Sequence, residues 1–374
     1  MDQLLEVCGY LRDVKVEVRR FAAQTIAEYS ANEDAQKLLL GSKTLIKDLC
    51  LLISDAALVA KNAYLALLHL SVVPDFSDRM LEEKIIARLM DAIMDKENKL
   101  VELSCMVLCN LTRRVEGCRA LIQVGTELEG LYVHKLIQRF CMPPSAASLD
   151  DDEANDPYKW LASVFTNVSQ MDEGRALFLN RERKSILYLL PFLSHPHPMR
   201  TRGVVGVLRN CCVDAVDRTW LLSTEVDVLR YTLAPLVRPS FKFSKKELEA
   251  LPDTVKSRFE MFQALELAQA EAEKAGAPTP SAPPQADDET VATLVEVLCL
   301  LTQEHEHIVE VKKRSTYAII RELDRNGMPA KETQERLVAL ALRIASDEIS
   351  KALSGSTISQ ERLPTVPTQD LDLD

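Results

Sequence analysis

The side chains best placed for chemistry in this chain are three asparagines. Asn110, Asn167 and Asn210 each stand two residues before a small residue with a polar or thiol tip, Thr112, Ser169 and Cys212. A carboxamide both donates and accepts, so asparagines repeated at one helical position can hydrogen-bond an extended peptide backbone without reading its sequence. A local role competes with this, because Asn near a helix end also bonds the carbonyls of its own turn. Arg113, Arg114, Arg202 and Arg209 lie close to these asparagines and would make the stretch basic inside an acidic chain. Surface arginines that merely snorkel would look the same.

Catalytic and metal-binding patterns are weak by comparison. The sequence contains no G-x-x-x-x-G-K-[ST], no G-x-G-x-x-G and no G-x-S-x-G. Its only close histidine pairs are His195-Pro-His197-Pro and His305-Glu-His307. The second pair diverges on a helix; the first lies in a Pro-broken turn with no third ligand at motif spacing. Cys105 with Cys109, and Cys211 with Cys212, fit apolar helical positions where Cys packs as a small hydrophobe. The expectation is therefore no catalytic residue, no cofactor and no metal.

Composition narrows the class further. The net charge of −11 disfavours a nucleic-acid binder, since phosphate neutralisation needs Lys and Arg. Nine cysteines without framework spacing point to reduced thiols in a reducing compartment. The start Met1-Asp2-Gln3-Leu4-Leu5-Glu6 resembles neither a secretory signal nor a transit peptide. No run approaches the roughly 18 apolar residues that span a bilayer. A soluble cytoplasmic protein is expected, with the nucleus as a second compartment.

The asparagines belong to a repeated helix. With Ser30, Ser71, Thr112, Ser169, Cys212 and Thr302 as markers, the intervals are 41, 41, 57, 43 and 90 residues. Four positions before each marker stand Ile26, Leu67, Leu108, Phe165, Leu208 and Leu298. Offsets of one, five and eight positions are also mostly apolar, which draws one stripe along an α-helix. Two positions before the markers the column reads Glu28, His69, Asn110, Asn167, Asn210 and Leu300. A helical period near 41 falls within the roughly 40–47 residues of armadillo and HEAT repeats. The expected fold is all-α, a right-handed solenoid whose stacked units bury a continuous core and present a long binding surface. Asn110-Leu111, Asn167-Val168 and their following hydroxyls match the Asn-Leu-Ser signature of the armadillo peptide-binding ladder.

Interruptions divide the chain. Repeats fill residues 1–140. An acidic loop expected to be disordered, CMPPSAASLDDDEANDP, covers 141–157. Central repeats occupy 158–243, and a helix with a Pro-rich flexible insertion occupies 244–288. The 90-residue interval is roughly two periods. Capping repeats span 289–353, and a Ser/Thr/Pro tail expected to be disordered ends the chain at 354–374.

Three segments carry a family resemblance. Arg202-Gly203-Val204-Val205-Gly206-Val207-Leu208-Arg209-Asn210-Cys211-Cys212 followed by Trp220-Leu221-Leu222, Thr316 to Leu323, and Asn110-Leu111-Thr112-Arg113 resemble the HGH-one homologue family of armadillo-like proteins, also called brain protein 16-like. The resemblance covers roughly residues 1–350. It implies a cytosolic adaptor that binds translation elongation factor 2 and helps deliver it to the cytosolic chaperonin, with an Hsp90-type chaperone also involved. It brings no catalytic residue. Two departures stand out. Val213 to Arg218 lacks the His-containing run expected there, and the loops at 141–157 and 276–288 are longer than expected. The other expectations are a general armadillo peptide scaffold or a nuclear-import-type adaptor. The latter pairs its Asn ladder with Trp, whereas Trp160 and Trp220 stand out of register.

Overall fold

The structure, a computed structural model, describes residues 2–142, 156–275, 278–280, 285–328 and 330–353. The acidic segment 143–155, most of the Pro-rich stretch and the tail from 354 lie outside the described residues, as do the expectations for them.

The described residues contain helices and no strand. The chain opens with α1 (Asp2–Tyr10) and α2 (Val16–Tyr29). Three triplets follow: α3 (Glu33–Leu39), α4 (Leu45–Leu52) and α5 (Ala57–Leu70); α6 (Pro74–Glu82), α7 (Ile85–Met94) and α8 (Val101–Leu111); then α9 (Val115–Ile122), α10 (Leu131–Cys141) and α11 (Leu161–Ser169). Next come α12 (Asp172–Phe178), α13 (Ser185–Leu189) and α14 (Pro198–Cys211), then α15 (Ala215–Leu222) and α16 (Val228–Thr232). An inserted pair, α17 (Lys245–Ala250) and α18 (Asp253–Ala275), precedes α19 (Asp288–Leu301), and α20 (His305–Lys313), α21 (Thr316–Asn326) and α22 (Lys331–Leu353) end the array.

The third helix of each triplet stacks on its counterpart: α2 on α5, α5 on α8, α8 on α11, α11 on α14, α14 on α19 and α19 on α22. This stack is the backbone of an all-α solenoid. The marker stripe buries where expected. Residues eight and four positions before every marker are fully buried, as are the markers themselves. The residues one and five positions before are buried too, except in α2, where Tyr29 is 52% exposed and Thr25 half-exposed. Those two positions face the preceding third helix of the stack, and among the described residues none stacks before α2.

Two findings differ from the repeat count. Because α14 packs directly on α19, the 90-residue interval is one step with an insertion rather than two periods. The insertion packs beside the stack, α18 against α16, and straps onto the next triplet through Arg321 with Glu247 and Lys242 N–H to Glu322 at 3.1 Å. A seventh ladder helix also exists. In α22, Leu337, Leu340 and Ile344 are buried at the spacing of the stripe, but Ala345 stands where a hydroxyl marker would. Among the described residues no later helix stacks on that side, so Ala345 faces no partner that would need a polar group.

Close approach is set by small residues at a few places. A Cβ on Gly203 would lie 2.4 Å from Ala162 Cβ and 2.6 Å from Ala162 C, so glycine lets α14 cross α11 at this point. In α9 and α12, Gly117 and Gly174 sit against Leu111 O and Val168 O; a Cβ there would fall 1.9 Å from each oxygen. Both long insertions, 143–155 and 237–287, enter between a second and a third helix, which places them on the same connection of their repeats. Buried Arg200 pairs with Asp156 and donates to Phe140 O at 2.6 Å.

Candidate functional site: the asparagine ladder

The ladder positions line up on successive third helices, on the face turned away from the core. Each asparagine reaches back one repeat. Asn110 Nδ2 donates to Ser71 Oγ (2.9 Å) and, at longer range, Leu68 O (3.4 Å). Asn167 Nδ2 donates to Thr112 Oγ1 (3.2 Å) and Cys109 O (3.3 Å). Asn210 Nδ2 donates to Ser169 Oγ (2.9 Å) and Thr166 O (3.3 Å). The marker hydroxyl in turn donates to the carbonyl three residues before it, at 2.7 Å from Ser71 to Leu68 O and 2.8 Å from Ser169 to Thr166 O.

His69 stands in for asparagine in the first of these clamps. Its Nδ1 lies 3.2 Å from Ala27 O and 3.0 Å from Ser30 Oγ. A carbonyl only accepts, so Nδ1 carries a proton in this contact. The clamp ends where its chemistry ends. Cys212 offers a thiol, its partner position on α19 is Leu300, and the two are apolar together. Removing both members of a buried polar pair is far cheaper than removing one. At the last step Arg343 on α22 takes over and donates to Cys299 O at 3.1 Å.

Both acceptors of each carboxamide nitrogen therefore belong to the neighbouring repeat. The three Oδ1 atoms accept no hydrogen bond among the described residues, and none is a buried orphan. The ladder holds the solenoid in register and presents acceptors outward. Sequence reasoning placed the column but missed the clamp, because its other half lies 39 to 55 residues away. The signal was present in the pairing of hydroxyl markers with Asn or His, and of Cys212 with Leu300.

The arginines are placed differently. Arg202 pairs with Asp287 (3.0 Å) and Glu289 (2.7 Å), and Arg209 with Glu296 (3.0 Å), so both bridge α14 to the α19 segment. Their charges are answered within the stack. Arg113 is exposed one residue beyond a marker, while Arg114 pairs with Asp78 of the preceding repeat. Half-buried apolar side chains flank the ladder in the N-terminal half, among them Leu65, Leu68, Leu103 and Trp160. Trp160 lies beside Glu102, its indole N–H 3.4 Å from the carboxylate, whereas Trp220 sits on α15 beneath Arg181. The two tryptophans form no ladder.

Reactive-group chemistry is muted. All nine cysteines are free thiols. Burial pushes Cys212 to about 12 and raises Cys211 well above its ordinary value. His195 faces a small cavity with Arg258 and Asp287, and burial lowers its pKa to about 4. Among the described residues no group of three or more His, Cys, Asp or Glu is placed to hold a metal, and no helix is long and apolar enough to cross a membrane.

Known proteins are similar to this chain. A protein-family model described as Domain of unknown function (DUF383) matches residues 92–260. Protein HGH1 homolog of Dictyostelium discoideum is 30% identical over 67% of this chain and 70% of its own length. The chain belongs to the HGH1 homolog family. Protein HGH1 homolog of Schizosaccharomyces pombe is 26% identical over 93% of this chain and 94% of its own length, so the likeness runs through nearly the whole array. Among solved structures, computationally designed armadillo repeat proteins for modular peptide recognition share the fold. One superposes with a TM-score of 0.50 at 13% identity, covering 70% of this chain and 98% of its own. A designed armadillo repeat protein in complex with the peptide (KR)4 has a TM-score of 0.51 at 13% identity over the same shares. Both show the fold alone.

Proposed function

We propose that this chain is a non-catalytic adaptor that binds translation elongation factor 2 and helps deliver it to the cytosolic chaperonin in the cytoplasm. An Hsp90-type chaperone would be a further partner. The observation that carries the reading is the outward acceptor column Asn110, Asn167 and Asn210, regular over successive repeats of an HGH1 homolog family solenoid. Unpaired carbonyl oxygens at a fixed repeat accept from backbone N–H groups of an extended segment. The half-buried Leu65, Leu103 and Trp160 beside them supply apolar contact, the usual core of a protein interface. Arg113, in no ion pair among the described residues, adds a positive charge at the rim, while Arg202 and Arg209 act through the acids they hold.

Substituting the asparagines themselves would unlatch the repeats, so a binding test must leave the clamps intact. Purified elongation factor 2 is titrated onto the immobilised full chain, with Arg113→Glu and Lys61→Glu as variants on exposed ladder-helix positions. Binding weakened severalfold by either change, with an unaltered helical spectrum, supports the reading. Absence of binding by the unaltered chain would sink it.

A further inference from the structure

The N-terminal end of the stack carries a surface that every other repeat buries. In α5, α8, α11, α14, α19 and α22 the positions one and five before the marker are covered by the preceding third helix. On α2 those two positions are open, Thr25 half-exposed and Tyr29 52% exposed, and Phe21, one turn before Thr25, is 60% exposed, with Val14 92% exposed just before the helix. Solenoid ends are ordinarily capped by polar faces, since an uncovered inter-repeat surface is adhesive.

The residues around this ridge say what fits it. Arg20, Gln24 and Glu28 run alongside Phe21, Thr25 and Tyr29, one turn apart on the same exposed side. Among the described residues neither Arg20 nor Glu28 is held in an ion pair, and Glu28 receives only the Gln24 amide at 2.9 Å. The arrangement is self-complementary. A two-fold axis at Thr25, with two α2 helices antiparallel, sets Phe21 of one copy on Tyr29 of the other and brings Arg20 beside Glu28 of the other, twice over. Isologous contacts of this kind close on themselves and stop at two.

We propose that the α2 end face pairs two copies of this chain. The face is small, a few turns of one helix, which places the contact at the low end of interface sizes, where weak and transient pairings lie. Arg20 and Glu28 set its register, and the Phe21–Tyr29 contacts its adhesion. This pairing stands apart from the ladder and from any client held there.

Sedimentation equilibrium of the full chain between about 1 and 100 µM tests it, with the helical spectrum as a folding control. A reversible monomer–dimer equilibrium is expected. Arg20→Glu alone and Glu28→Arg alone should each weaken it at least tenfold, because each places like charges together twice. The double variant Arg20→Glu with Glu28→Arg should restore it to near the starting value. Thr25→Cys, on the axis, should form a disulfide-linked dimer on mild oxidation. A chain that stays monomeric at 100 µM overturns the proposal. So does a dimer indifferent to both single charge changes, which would have to use another surface.

Discussion

Replacing one inter-repeat clamp with the pair the chain itself uses elsewhere should show that Asn210 and Ser169 act as a unit. Asn210→Leu removes the donations to Ser169 Oγ and Thr166 O. Thr166 O keeps the Ser169 hydroxyl at 2.8 Å, so no acceptor is orphaned and the loss should be about 1–1.5 kcal/mol. Ser169→Cys instead strips the Asn210 nitrogen of its shorter partner at a half-buried site, and should cost about 1–2 kcal/mol. The double variant recreates Cys212 with Leu300 one step along the stack. Both polar members then leave together, so the double should cost about 1–1.5 kcal/mol, a coupling near 1 kcal/mol. Urea denaturation followed by far-ultraviolet circular dichroism reads all three, compared only where the slopes agree. Costs that simply add, with no coupling above about 0.3 kcal/mol, would refute the clamp as the reason for the asparagine column.

Further outcomes follow from the same geometry. Gly203→Ala should destabilise by about 3 kcal/mol or prevent folding, because its Cβ meets the Ala162 backbone, whereas Gly9→Ala, with nothing within 4 Å, should be neutral or slightly stabilising in the same urea assay. Glu247 titrates near about 2 rather than its ordinary 4.5, chiefly because Arg321 hydrogen-bonds the carboxylate. A lowered folded-state pKa gives stability that is present above 4.5 and lost as pH falls towards 2; the urea midpoint should drop across that window, and Glu247→Gln should flatten part of the drop. A maleimide probe at pH 8 should label the folded chain slowly and mainly at the half-buried Cys141 and Cys299, and all nine thiols in urea; rapid labelling of Cys211 or Cys212 would contradict their burial.

The stack was legible because its stripe is a burial pattern, and burial writes itself into residue type. Ile26, Leu67, Leu108, Phe165, Leu208 and Leu298 are all fully buried. What escaped depends on neighbours rather than on type. Tyr29 occupies a core position of the stripe yet is exposed, since among the described residues no earlier third helix stacks on α2. The helix α22 escaped for the converse reason: with no helix stacked after it among the described residues, Ala345 could replace the polar or thiol group that marks the others. The 90-residue interval read as two periods because length cannot separate an added repeat from an insertion, and α17 and α18 are helical as a repeat would be. The asparagine column was visible in register, but its direction was not. Donation from Asn110 to Ser71 and from Asn167 to Thr112 joins residues in different repeats. Arg202 and Arg209 read as basic because Asp287, Glu289 and Glu296 lie 85 to 87 residues further on, and only the direct contact of α14 with α19 brings them together.

The central claim is that the outward face of the ladder helices holds a protein segment from elongation factor 2. Hydrogen exchange of the full chain with and without purified elongation factor 2 tests it most directly. The expected result is added protection concentrated on α5, α8, α11 and α14, with Arg113→Glu raising severalfold the elongation factor 2 concentration needed to reach it. Binding with protection confined elsewhere, or no change in exchange at saturating elongation factor 2, would contradict it.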